Sequence, residues 1–164
     1  MDVLLPAVAE SGIRRHGEAD YPEECCGFLI GRADPGKTAV REIIRIVPAS
    51  NTVEVERRRR FVIRPEELRA LESELGPRGE LVIGFYHSHP DHPARPSQFD
   101  EEHAWPWYTY LVLGVQQGKA GALGAFELDE ASRAFHEVKL ERTEGAEWPV
   151  GKQDRKTSTA SFPS

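Results

Sequence analysis

The sequence predicts a single α/β or α+β domain, and three observations carry that expectation. Short apolar runs suited to buried strands occur at Cys25–Gly31, Leu81–Ser88 and Tyr108–Val115. Helical apolar spacing appears near the N-terminus and again after Pro65. The resulting order is helix, strands, helix, strand, short helix, strands. The length of 164 residues suits one domain, and a chain of this size hides roughly 70% of its unfolded surface without cross-links.

Leu5, Val8, Ala9 and Ile13 recur at helical offsets, which predicts a first helix over about 5–18, stopped by Pro22. Cys25–Gly31 (CCGFLIG) reads as a short buried strand ended by glycine, Thr38–Val47 as a second and Phe61–Ile63 as a brief third. Pro65 suits the first position of a helix. Leu68, Leu71 and Leu75 give that helix its apolar face, and Gly76-Pro77 closes it. Leu81–Ser88 is the central strand. A loop bearing Pro90, Pro93 and Pro96 follows, and Ser97 opens a short helix ending near Trp105-Pro106. Strands at Tyr108–Val115 and Ala122–Leu128, joined across Gln116–Gly121, and at Ala134–Leu140 complete the domain. We set its boundary at 1–141, with 142–164 a polar tail.

Composition narrows the function classes. Hydrophobic residues at 39% and charged residues at 29% fit a soluble globular protein. A net charge of -6 argues against a general nucleic-acid binder. The adjacent pair Cys25 and Cys26 would point to opposite faces of a strand, so a disulfide framework is excluded and reduced thiols are expected. The first residues lack the basic region and apolar run of a signal peptide, and no apolar stretch could span a bilayer as a helix. The expectation is a cytoplasmic protein. Arg57–Arg60 reads as a solvated loop, with a docking surface for an acidic partner as the sharper reading.

The chemistry lies in His87-Ser88-His89-Pro90 and the stretch through Asp100. At the end of a strand, period two places His87 and His89 on one face as a two-point claw. Asp100, in the first turn of the next helix, can supply a third ligand. Two nitrogens and one carboxylate oxygen match a catalytic zinc set with one position left for water. Two surface histidines at a strand end would be the ordinary account of His-x-His alone. Ser97-x-x-Asp100 likewise reads as a helix-capping pair, which would also orient Asp100. His92 in the loop and His103 one helical turn past Asp100 are weaker candidates, more simply a loop imidazole and a polar helix position. Cys26 lacks a Cys-x-x-Cys partner and reads as a small buried side chain.

These residues resemble the JAMM/MPN+ zinc metalloproteases. That family carries His-x-His-Pro, a serine eight residues after the second histidine and an aspartate three further on, matched here by His87, His89, Pro90, Ser97 and Asp100. Its upstream glutamate, three residues before a glycine, is matched by Glu24 before Gly27; Glu23 would face the other way. The resemblance covers about residues 5–140. It implies a mixed β-sheet flanked by helices, similar to the cytidine-deaminase fold, and one Zn2+ per chain held by His87, His89 and Asp100. It further implies that Glu24 moves the proton and that Ser97 donates to the developing oxyanion. The wider stretch from Gly84 to Pro106 looks like the bacterial branch that processes ubiquitin-like sulfur carriers ending in Gly-Gly, a branch that includes a CysO–cysteine peptidase. Phe85, Tyr86, His92 and Arg95 would then meet substrate. Three other readings stand beside this one. A zinc deaminase would need Pro-Cys-x-x-Cys, which is absent. A RadC-like protein fits the charge poorly. A non-catalytic module of the same fold would bind no zinc. A homodimer stays open.

Overall fold

The structure is a computed structural model that describes residues 2–32, 40–49 and 63–144. The chain runs through β1 (Asp2–Pro6), α1 (Ala7–Asp20), β2 (Cys26–Arg32), β3 (Val40–Glu42), β4 (Arg45–Ala49) and α2 (Pro65–Leu75). A single 3-10 turn, Gly76–Arg78, then leads into β5 (Glu80–Pro90). α3 (Gln98–His103), β6 (Thr109–Gln116), β7 (Lys119–Asp129), β8 (Ala134–Val138) and β9 (Leu140–Thr143) follow. Six strands form one mixed sheet in the order β4-β2-β5-β6-β7-β8, and β3-β1-β9 form a second, smaller sheet. Only β5 and β6 pair in parallel within the large sheet. The expected α/β (α+β) class holds, with a mixed sheet and helices on its flanks.

Three expectations need correction. The first helix begins at Ala7, because residues 2–6 form β1. Val3 and Leu5 satisfy period two as well as Leu5 satisfies the helical spacing, and their parallel partners β3 and β9 lie far along the chain. The strand expected over Thr38–Val47 is two strands in different sheets, β3 beside β1 and β4 beside β2. The strand expected over Ala134–Leu140 also divides: β8 ends at Val138, and β9 runs to Thr143 against β1. The boundary expected at 141 therefore falls inside β9. Of the brief strand expected at Phe61–Ile63, only Ile63 lies within the described residues, and it belongs to no strand. Arg57–Arg60 and residues 145–164 lie outside them. No helix among the described residues is long and apolar enough to cross a membrane.

Alternation along the strands builds two cores on opposite faces of the large sheet. On one face, Ala9 and Ile13 of α1 and Val3 and Leu5 of β1 pack with Leu29, Tyr86, Leu111, Leu113 and Val115. On the other, Leu68 and Leu75 of α2 pack with Phe28, Val82, Phe85 and Tyr110. Residues 85, 87 and 89 of β5 thus share the second face, and Tyr86 and Ser88 the first.

Two glycines let backbone and ring approach closely. A Cβ at Gly84 would lie 2.0 Å from the Thr109 carbonyl oxygen on β6. Gly27 pairs with Tyr86 across β2 and β5, and a Cβ there would lie 2.2 Å from the Tyr86 ring. The ring has no route aside, since Tyr86 is fully buried with its hydroxyl 2.7 Å from His16 Nδ1. Burial opposes a charge on His16, but hydrogen bonds to the Asp20 carboxylate and the Cys25 thiol outweigh it and raise the imidazole pKa to about 9. Overpacking at such a site costs roughly 1–3 kcal/mol. Gly27→Ala should therefore lower Tm by several degrees in a thermal melt. Gly76→Ala, where a Cβ meets nothing within 4 Å, should leave Tm unchanged or slightly raised. Equal melting of the two variants would contradict this packing.

Candidate metal centre

The site forms where β5 leaves the sheet. His87 pairs with Cys26 on β2 and with Val112 on β6, so it is held from both sides. His89 pairs with Gly114, and β5 ends one residue later. The loop then folds back under its own hydrogen bonds. Asp91, at φ 57, accepts from the Gln117 backbone N–H and the Tyr21 hydroxyl. His89 Nδ1 lies 3.0 Å from the Pro93 carbonyl oxygen. A carbonyl can only accept, so Nδ1 carries the hydrogen and a neutral His89 keeps its Nε2 lone pair for a ligand.

α3 brings the third donor. Ser97 is its N-cap, and the capping box is complete: Ser97 Oγ accepts from the Asp100 N–H at 3.1 Å, and the Ser97 N–H donates to Asp100 Oδ2 at 2.8 Å. The cap turns the Asp100 carboxylate back toward the strand. Asp100 Oδ2 lies 3.1 Å from His87 Nε2 and 3.1 Å from His89 Nε2, and the two imidazole nitrogens are also 3.1 Å apart.

This triangle fits a metal ion. Donors bonded to one ion at roughly 2.0–2.1 Å in a tetrahedron stand about 3.3 Å apart. All three residues are buried, and Asp100 Oδ1 has no hydrogen-bond partner among the described residues. Burial opposes charge on Asp100, but His87, His89 and the Ser97 N–H outweigh it and hold the carboxylate well below its usual range. Burial lowers the His87 pKa despite the Asp100 charge, which favours the neutral, ligating imidazole. Nitrogen and carboxylate donors of this kind suit zinc.

Glu24 closes the site from the last residues before β2. Its carboxylate and the two imidazoles all offer ligand atoms within 4.8 Å of one another. It is 1% exposed, and burial, then the Asp100 charge, pushes its pKa up to about 9. A bound cation would act in the opposite direction. Glu23 is exposed.

Two clefts flank the centre. One, of about 460 Å³, shares His87 and Asp100 and is walled by Ile63, Phe85, Trp105 and Arg133 among others. The other, of about 410 Å³, shares Glu24, His89 and Ser97 and includes His92 and Arg95. Phe85, His92 and Arg95 thus border the centre. Tyr86 does not: it sits on the α1 face of the sheet with 0% exposure, so the expectation that it meets substrate is withdrawn. His103 is exposed, stacks on Phe99 at 4.0 Å and stays out of the ligand group. Cys26 is buried, and burial raises its thiol pKa, which disfavours the thiolate. Residue type alone gives no sign that Ile63 and Arg133 wall the cleft, nor that Trp105, 39% exposed, stands in the same wall.

The chain is similar to several known proteins. The family described as prokaryotic homologs of the JAB domain (Prok-JAB) matches residues 6–128. A desampylase of Haloferax volcanii is 37% identical over 113 residues, covering 66% of this chain and 77% of that protein. A protein of Desulfitobacterium hafniense known from its solution structure superposes with a TM-score of 0.74 at 26% identity, covering 90% of this chain and 96% of that one. A JAB1/MPN domain protein of Archaeoglobus fulgidus superposes with a TM-score of 0.55, covering 88% of this chain and all (100%) of that one. At 20% identity that last likeness speaks for the fold alone. The match over most of the domain, with the donor triangle inside the matched span, means that the chain belongs to the prokaryotic JAB family.

Proposed function

We propose that the chain is a zinc-dependent isopeptidase that hydrolyses the amide bond after the C-terminal glycine of a ubiquitin-like protein. The observation that carries the reading is the donor triangle of His87, His89 and Asp100 with the buried Glu24 carboxyl beside it. The likeness to a desampylase supports a ubiquitin-like substrate. The finer reading, from the sequence around the motif, is a sulfur carrier ending in Gly-Gly from which cysteine or another amide-linked group is released.

His87, His89 and Asp100 would hold the zinc. When bound, zinc polarises a carbonyl and lowers the pKa of water toward 7. Glu24 takes a proton from the attacking water and returns it to the leaving amine. Ser97 already uses its oxygen as an acceptor in the cap, which leaves its O–H to donate to the developing oxyanion. Because Glu24 opens onto the cleft with His92 and Arg95, the leaving amine lies on that side. The acyl side then lies along the aromatic cleft. Glycine suits the crossing between them, since it lacks a Cβ where the tail passes close to protein backbone.

A non-catalytic module of the same fold is the second reading, and it has no use for a buried carboxyl beside the donors. Glu24→Gln keeps the shape but accepts no proton. Zinc content should stay at the wild-type level while turnover falls at least ~10²-fold; Glu23→Gln should change neither. Sensitivity at Glu23 instead would place the wrong carboxylate in the site. For the substrate, zinc-loaded chain should remove only the appended group from a Gly-Gly carrier adduct, read by mass spectrometry. Equal cleavage of an Ala-Ala carrier adduct, or of unfolded casein, would refute selection of the tail.

A further inference from the structure

Ser88 stands between the two histidine ligands, yet its side chain points to the opposite face of β5. It is 0% exposed, as is Cys25 opposite it. The antiparallel register that pairs Cys26 with His87 and Gly27 with Tyr86 sets Cys25 against Ser88 and Glu24 against His89. Opposed pairs in an antiparallel ladder alternate between ones that exchange two backbone bonds and ones that exchange none, and the Ser88 N–H bond to the Cys25 carbonyl marks this pair as the bonded kind. Here the Ser88 N–H donates to the Cys25 carbonyl at 3.1 Å, but the Cys25 N–H donates to Ser88 Oγ at 2.8 Å. Half of the last rung therefore runs through a side chain. β2 begins only at Cys26, so Glu24 sits beyond the regular ladder and hangs from this rung.

We infer that Ser88 is a positioning residue: its hydroxyl closes the final rung between β2 and β5 and fixes the peptide that carries Glu24 opposite His89. The requirement is specific in chemistry. A buried backbone N–H with no acceptor is costly, and among the described residues no backbone carbonyl takes the Cys25 hydrogen, which goes to Ser88 Oγ. α1 seals the rung from behind, where a Cβ built on Gly17 would lie 3.6 Å from the Ser88 Cβ and 2.7 Å from Leu113 Cδ2. Solvent is thereby kept from replacing the lost acceptor. The role in turnover rests on the isopeptidase reading; the role in holding Glu24 does not.

The test compares Ser88→Ala with the hydroxyl-retaining Ser88→Thr in the full chain. In Ser88→Ala, amide hydrogen exchange at Cys25 should quicken at least ~10-fold while Phe28 and Leu29, deeper in β2, change little. Zinc content should be unchanged. With a Gly-Gly carrier adduct, kcat should fall at least ~10-fold at nearly constant KM, as expected for a displaced proton carrier. Ser88→Thr should recover most of it. In a Glu24→Gln background, Ser88→Ala should cost nothing further. Uniform acceleration of exchange along β2 would overturn the inference, since it would show a general structural role. A kcat loss of the same size in the Glu24→Gln background would also overturn it. If the wild-type chain hydrolyses no carrier adduct, the isopeptidase reading fails, and the exchange experiment still decides whether Ser88 holds the Glu24 peptide.

Discussion

Three donor atoms crowd one buried point, and the packing and hydrogen bonds of the domain must hold them there. His87 Nε2, His89 Nε2 and Asp100 Oδ2 are mutually 3.1 Å apart. Each is restrained by a different part of the fold. His87 lies on a strand paired on both sides, His89 is oriented by the Pro93 carbonyl, and Asp100 is turned inward by the Ser97 cap. No single element could supply this arrangement, because the ligands come from a strand end and the next helix across a loop. A cation at that point would be shared by all three donors, which is why such a cluster could hold a metal ion.

The two cores explain how a site of this kind stays accurate. The α1 face of β5 carries Tyr86 and Ser88, both fully buried, and the α2 face carries Phe85 and the ligands. The sheet is thus packed on both sides at the residues that flank each histidine. Gly27 and Gly84 permit that density by leaving room for the Tyr86 ring and for the β6 backbone. The site inherits its rigidity from packed strands, while the clefts on either side add loop residues and α3 to strand residues such as Phe85 and Tyr110.

Much of the centre was legible in the sequence because its logic is local. Period two in His87-Ser88-His89 and the capping spacing of Ser97 and Asp100 are short-range rules, and the structure brings these residues together. The choice of Glu24 over Glu23 depended on the offset from Gly27, and burial separates them in the same sense. What could not be read was non-local. Residues 2–6 satisfy helix and strand spacing alike, and only their partners β3 and β9 decide between them. The splitting of β3 from β4 and of β8 from β9 has the same cause. Tyr86 departs from expectation for another reason: it adjoins a ligand in sequence, but adjacent strand residues face opposite ways, and its ring lies in the α1-side core.

The proposed function depends first on zinc binding by the three-donor cluster. Its most direct test is elemental analysis of the purified chain after chelation, reloading with zinc and dialysis, beside the isosteric variant Asp100→Asn and the truncation His89→Ala. About one zinc per wild-type chain is expected, with weakened retention in Asp100→Asn and loss in His89→Ala, because two protein ligands hold zinc poorly. Wild-type chain that retains no zinc, or His89→Ala that retains as much as wild type, would contradict it.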